Sequence, residues 1–395
     1  RHGDRAPISH GAGRNLKCQP ATWAARLPSA AELAALNASF PVHGPVNGSI
    51  DVAEAPFGQL TTTGAAQCVA LGQWLRDSLQ SHAPHLLPSD PQHVVARATN
   101  IQRTQQSVQS VLTGLLGEDA PLSVPIAVRE ISEEPMIPQP PSCAALKART
   151  DELAGAKRLV AAGPADQALL SRVSSALGYE NASAVRLDQA REVAVCHLSH
   201  GDSLPAGLSE QDVLAMLDLG ARQWQAVWSD ATAARLGMGR LLGSIDSWLV
   251  AAANKEPDAP RLVLLSGHDS TLVPLLASLG LFEPHWPPYA AHVRIEVAHR
   301  RGGEGVTLTE TMQSDAAAAR LLYQGTPLTR SSDGGEAGWV SLEEFRALLR
   351  AAGTLSEAEY AEACAQSVAS PSPAAQQADA GSLQDTLVGR PRSRM

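Results

Sequence analysis

The chain has 395 residues, 44% of them hydrophobic and 18% charged, with a formal net charge of −9 at pH 7. That apolar content excludes a wholly disordered chain, and the acidic balance argues against nucleic-acid binding through a basic surface. No run reaches the ~18 consecutive apolar residues of a membrane-spanning helix, so no membrane span is expected within this sequence.

The chain opens with Arg1-His2-Gly3-Asp4-Arg5-Ala6-Pro7, in which guanidinium groups flank an imidazole. Like charges so close repel, and an anion held between them removes the conflict. Arginine suits that task because its planar fork meets phosphate oxygens in bidentate fashion. Gly3 lets the backbone approach closely, and His2 is then placed to attack phosphorus as a nucleophile. The plainer alternative is a basic turn at a chain end.

Residues 11–58 carry scattered Gly, Pro and Asn and read as a long surface excursion. Residues 60–79 predict a helix, with Leu71, Leu75 and Leu79 on one face beside Trp74. His93-Val-Val-Ala-Arg97 predicts a short buried strand. A second helix follows at once, with Val108, Val111, Leu112 and Leu115 on one face and Asn100 as N-cap. In such a strand–turn–helix unit, chemistry sits at the carboxyl end of the strand. Arg97, at that end, reads as a third phosphate clamp. Arg103, one helical turn on, reads either as reinforcement of the site or as the partner of a carboxylate.

Residues 123–131 predict a further strand. Pro135, Pro138, Pro140 and Pro141 then break the chain, and residues 143–254 follow helical periodicity almost throughout. An apolar strand is expected over 261–266, followed by a helix with Leu272, Leu275, Leu276 and Leu279 on one face and Gly280 as C-cap. Pro274 is expected in its first turn, where proline is tolerated. Between strand and helix lies Gly267-His268-Asp269-Ser270, at a helix N-terminus that favours an anion. His268 is a candidate donor to phosphate oxygens. Asp269 is a candidate proton donor to the leaving oxygen, which requires burial to raise its pKa; capping of the helix by Asp269 or Ser270 is the structural alternative. Residues 292–298 alternate as a half-buried strand, with 321–323 as its antiparallel neighbour, while Ala316–Ala319 reads as plain low complexity.

Together these groups resemble the histidine acid phosphatase branch of the histidine phosphatase superfamily. The resemblance runs through 1–7, Gly58-Gln-Leu-Thr-Thr-Thr-Gly64, Arg97-Ala-Thr99 with Arg103-Thr104, Gly267-His-Asp269, Pro287-Pro-Tyr-Ala-Ala-His292 leading to Glu296, and Leu321-Leu-Tyr-Gln-Gly325. Val195-Cys-His-Leu-Ser-His200 and Tyr360-Ala-Glu-Ala-Cys364 fit the subgroup of lysophosphatidic acid and 2-phosphoxylose phosphatases. The resemblance implies hydrolysis of a small phosphate monoester, with Arg1, Arg5, Arg97 and His268 binding phosphate, His2 forming a phosphohistidine, Asp269 donating the proton, and no metal or other cofactor. Where the family usually reads Arg-Ser-Thr, this chain has Ala98 and loses a hydroxyl. The resemblance also implies a Cys143–Cys364 disulfide, while Ala291 stands where the family partner of Cys196 would be.

The implied fold is α/β, a mostly parallel central sheet flanked by helices with an inserted α-helical cap. The discontinuous core is expected over 1–140 and 255–365, the cap over 141–254, and a disordered tail over 366–395. The strand that should lead into His2 is missing from this sequence, so residues 1–395 alone are expected to fold poorly. His197 and His200, in what resembles a substrate cap, read as structural, as does Glu296, paired with a pocket Arg. Trp224 and Trp228 read as cap core. The sequons Asn37-Ala-Ser39, Asn47-Gly-Ser49 and Asn181-Ala-Ser183, with widely spaced Cys, point to a secretory or extracellular setting. Two other functions compete: a phosphate-binding scaffold without turnover, and a phytase-like enzyme for inositol phosphates. The latter is disfavoured by the few cap lysines, Lys147 and Lys157.

Overall fold

A computed structural model describes residues 1–45, 56–87, 90–117, 123–299, 317–329 and 338–365. The Asn47 sequon and the expected tail over 366–395 lie outside the described residues. The segment read as an excursion has more structure than expected: a hairpin of β1 (Gly11–Ala12) and β2 (Leu16–Lys17), then α1 (Pro20–Ala24), α2 (Ala30–Ser39) and β3 (Val42–His43). A capping box starts α2, with the Ser29 side chain accepting from the Glu32 N–H and Glu32 reaching back. That Ser-x-x-Glu signal was present in the sequence.

Two long helices follow, α3 (Thr62–His82) and α4 (Gln102–Leu116), with β4 (Val94–Ala98) between them. The Asn100 side chain does not cap α4; it donates to Pro45 O, and Ile101 takes the cap position. Within the stretch read as one long strand, only β5 (Ile126–Ala127) pairs. The helices α5 (Ala144–Val160), α6 (Pro164–Leu177), α7 (Leu187–Ser199), α8 (Glu210–Trp228) and α9 (Ala231–Ala253) run in succession. Next come β6 (Leu262–Ser266) and α10 (Asp269–Ser278), in which Pro274 stands inside the helix rather than in its first turn.

The remaining elements are β7 (Val293–His299), β8 (Ala317–Tyr323), β9 (Thr326–Pro327), β10 (Val340–Ser341), α11 (Leu342–Ala352) and α12 (Glu357–Ala365). Ala317 to Ala319, within the alanine run read as low complexity, open β8, where Ala318 and Ala319 are buried. β8 pairs antiparallel with β7, Val293 opposite Tyr323.

β3, β5, β4 and β6 form a parallel sheet in the order β3-β5-β4-β6, and β7, β8 and β10 form an antiparallel one. The β4–β6 register sets Ala98 opposite Ser266, and Thr99 N–H extends it by donating to Ser266 O at 3.2 Å. The chain leaves both strands at the same end, which brings Thr99 and His268 together. Residue 2 bridges the two sheets: its N–H donates to Gly267 O and its carbonyl accepts from Ala290 N–H, each at 3.0 Å.

Among the described residues the apolar core has three parts. One joins α5, α8 and α9 to α10, β8, α11 and α12, so the helical stretch shares its core with the sheet elements after it. A second packs α6, α7 and α8 on Leu16, Cys18 and Trp23, and the third lies between the parallel sheet and α4. A Cys143–Cys364 disulfide ties the start of α5 to the end of α12, as the family resemblance implied. Among the described residues, no helix is long and apolar enough to cross a membrane.

Candidate active site

The opening motif folds against residues 58–61. Ala6 N–H donates to Gln59 O at 2.9 Å, Gly58 N–H to Pro7 O at 2.8 Å, and Thr61 N–H to Asp4 O at 3.1 Å. This pairing needs glycine on both sides. A Cβ at Gly3 would stand 2.2 Å from Gly64 O, and one at Gly64 would stand 2.1 Å from Asp4 O. The motif therefore lies directly on the first turn of α3, with its side chains fixed in direction.

Asp4 is fully buried and serves as an anchor. Its carboxylate accepts from Thr61 Oγ1 at 2.7 Å, from His200 Nε2 at 2.7 Å and from Ser199 Oγ. The end of α7 is thereby tied to the motif. His200 is structural in this sense, and so is His197, which pairs with Asp202 at 3.1 Å. Both rings stand edge-on to Trp23.

His2 is 2% exposed, and its Nδ1–H donates to its neighbour's carbonyl, Gly3 O, at 2.7 Å. A carbonyl only accepts, so the proton sits on Nδ1 and the Nε2 lone pair is free. Burial, then Arg103, His268, Arg1 and Arg5, hold the imidazole well below its usual pKa. His2 is therefore neutral across the physiological range.

The guanidinium groups do not fall where the sequence placed them all. Arg1 pairs with Asp269 at 3.3 Å, donates to Pro287 O and lies over the Tyr289 ring. Arg5 pairs with Glu192 of α7 at 2.5 Å. Arg97 pairs elsewhere: it lies 3.6 Å from the buried Glu134, and its other charged neighbours are Arg129 and Glu357. Side chains alternate along a strand, so the residue at its carboxyl end points to whichever face its parity dictates. Arg103, from the first turn of α4, is the guanidinium that stands beside His2 and His268. Its Nη1 donates to Gly58 O and its Nη2 to His268 Nδ1, each at 3.3 Å. Burial and then Arg5 push its guanidinium down to about 9, against the pull of Asp269.

His268 is the N-cap residue of α10, and its ring stands edge-on to His2 with centroids 5.4 Å apart. Because Nδ1 accepts from Arg103, Nε2 carries the proton and donates to Thr99 Oγ1 at 2.9 Å. Thr99 Oγ1 lies 2.8 Å from Thr104 Oγ1, which donates on to Ile101 O. Both nitrogens of His268 thus have protein partners, a fact the sequence could not show.

Asp269 Oδ1 accepts from Ser270 N–H at 2.9 Å and Oδ2 from Trp286 Nε1–H at 3.2 Å. Its side chain keeps 23% of its surface open. The sequence reading required a raised pKa, and burial does push it up. Arg1, Arg191 and Arg5 outweigh burial and hold the carboxyl well below the usual range. Tertiary structure, not the strand–helix motif, decides which cations face it. Glu296, read as the partner of a pocket Arg, pairs instead with Arg294 and Arg320 on the antiparallel sheet.

Sequence reasoning passed over four further residues at the site: Tyr289, Glu192, Arg191 and Trp286. Tyr289 lay in a quoted motif. Arg191 was missed because the cap was searched for lysine. Cys196 is a buried free thiol 3.2 Å from Tyr289 OH.

The sequence pattern of the histidine phosphatase superfamily (branch 2) matches residues 1–195. Lysophosphatidic acid phosphatase type 6 of Pongo abelii is 29% identical over 245 residues, 61% of this chain and 56% of that protein. Human testicular acid phosphatase is 30% identical over 283 residues, 66% of this chain and 65% of that protein. The chain thus spans little more than half the length of the first of these relatives. Among solved structures, the phytase from Citrobacter braakii superposes with a TM-score of 0.57 at 17% identity, covering 93% of this chain and 98% of that one. Hafnia alvei phytase gives 0.57 at 16% identity over 92% and 96%. These two establish the fold, α/β with a parallel sheet flanked by helices. The motif residues and the sequence matches lead to one placement: residues 1–195 carry the pattern of the histidine phosphatase superfamily, branch 2, and the chain is similar to acid phosphatases of that kind.

Proposed function

We propose that the protein hydrolyses phosphate monoesters through a phosphohistidine at His2. The observation that carries this reading is a neutral imidazole with a free Nε2 inside a ring of Arg1, Arg5 and Arg103. Three buried guanidinium groups around one imidazole are mutually repulsive, and a phosphate dianion bound among them converts that repulsion into attraction. Arginine does not deprotonate in proteins, so the pressure on Arg103 is relieved by an anion rather than by loss of a proton.

In the first step His2 Nε2 attacks phosphorus in line, and the P–O bond to the alcohol breaks. Asp269 gives its proton to the departing oxygen. Arg1, Arg5 and Arg103 neutralise the charge on the equatorial oxygens, and His268 holds Arg103 in place. In the second step water attacks the phosphohistidine, Asp269 takes its proton, and inorganic phosphate leaves. The low pKa of Asp269 belongs to a pocket full of cations. A phosphate dianion offsets those cations and adds negative charge beside the carboxylate, which raises its pKa toward the range a proton donor needs.

Lysophosphatidate, the substrate in the name of one relative, and sugar phosphates are the substrate classes we assign to the site. The buried disulfide supports a secretory or otherwise oxidising compartment. The test is phosphate release from para-nitrophenyl phosphate, with His2→Ala as control and acid-labile ³²P label on the wild type. Equal rates for both proteins would leave only a phosphate-binding scaffold.

A further inference from the structure

Trp286 is held on both sides. The Arg191 guanidinium, carried by α7, lies over its ring at 3.4 Å, and Trp224 of α8 stands edge-on at 84° with centroids 5.4 Å apart. Arg191 itself is 7% exposed and occupies a slot opened by Gly220 of α8, where a Cβ would meet its Nε at 3.2 Å. Among the described residues its one ion pair is with the half-exposed Asp188 at 3.2 Å, and its Nε has no hydrogen-bond partner there. The clamped indole has a single polar atom, Nε1–H, and this donates to Asp269 Oδ2 at 3.2 Å. An expensive buried cation is thus spent on fixing one ring, and the ring is spent on fixing one carboxyl oxygen.

We infer that Trp286 and Arg191 are positioning residues for the Asp269 carboxyl, and that they act on proton transfer to the leaving group rather than on phosphate binding. The inference rests on the phosphatase reading above. As the His2 Nε2–P bond forms and the P–O bond breaks, the proton on Asp269 moves to the departing oxygen. With Oδ2 held by the indole and Oδ1 by Ser270 N–H, the carboxyl cannot rotate out of line. The charged and titratable groups facing Asp269 are Arg1, Arg5, Arg103, Arg191 and His268. Of these Arg191 alone comes from the helical segment. The fit of that segment onto the rest of the protein is therefore read out at the acid.

The test compares two esters, para-nitrophenyl phosphate, whose leaving group departs without a proton, and an alkyl phosphate, whose leaving group needs one. In Trp286→Phe, which keeps the ring but loses the N–H, kcat should fall at least about tenfold more on the alkyl ester than on the aryl ester. Arg191→Met should show the same split, about threefold, and Arg191→Lys should narrow it. Equal losses on both esters would overturn the inference while leaving the phosphatase reading intact. A wild type that turns over neither ester would overturn the parent reading and this one with it. Should Trp286→Phe fail to fold, the Arg191 pair decides alone.

Discussion

Arg103 Nη2 donates to His268 Nδ1 across 3.3 Å, joining α4 to the N-cap of α10 beside His2. The contact fixes the tautomer of His268 and the direction of a guanidinium that the family motif alone left ambiguous. Arg103→Met should therefore lower kcat/KM by about 10²–10³, the usual loss for one donor to a developing anion. Arg97→Met should retain kcat/KM within about threefold but lose stability by about 3 kcal/mol, because Glu134 is left buried without its cation. Steady-state kinetics with thermal melts on both variants check the pair. The reverse pattern would return Arg97 to the site.

His2 and His268 are both held below their usual pKa, with burial and then Arg103 as the leading causes. A histidine with a depressed folded pKa binds fewer protons folded than unfolded below pH ~6.5, so stability rises with pH there and is lost as pH falls. The melting temperature should drop between pH 7 and pH 5, and less steeply in His2→Asn. On the kinetic side, the acid limb of kcat/KM should lie well below pH 6.5, since His2 stays neutral. A limb at or above that value in the free enzyme would contradict the assignment of His2 as nucleophile.

The Asp4 carboxylate takes Thr61, Ser199 and His200 at once and is wholly buried. Asp4→Asn swaps an acceptor for a donor facing other donors. Its cost should be about 2–3 kcal/mol, as expected for unsatisfied buried polar groups. Because α7 loses its tie to the motif, KM should also rise. Denaturant midpoints and Michaelis profiles measure both.

Reduction of Cys143–Cys364 frees the end of α12 from the start of α5. Stability should fall by about 2–5 kcal/mol, read from the denaturant midpoint with and without dithiothreitol. Cys18, Cys68 and Cys196 are buried free thiols, so the native protein should react slowly with a thiol reagent and the unfolded, unreduced protein should expose three thiols.

Local pattern carried much of this protein. The strands at β4 and β6 follow from short apolar runs before turns, and the pairing of β7 with β8 from alternation. Arg1, His2, Arg5, His268 and Asp269 are chemically conspicuous because clustered cations around an imidazole call for an anion. The capping box of α2 was also there to be read. What tertiary structure alone decided was direction and company. Arg97 and Arg103 sit in one short segment, and only packing sends the first to Glu134 and the second to His268. Asp269 reads the same in sequence whether its neighbours are apolar or cationic, yet Arg1 and Arg5 arrive from the opening motif and Arg191 from α7, all far from Asp269 in the chain, and reverse its pKa shift. Residue type is a local property of the sequence; the field at a carboxylate is a sum over everything the fold brings near it.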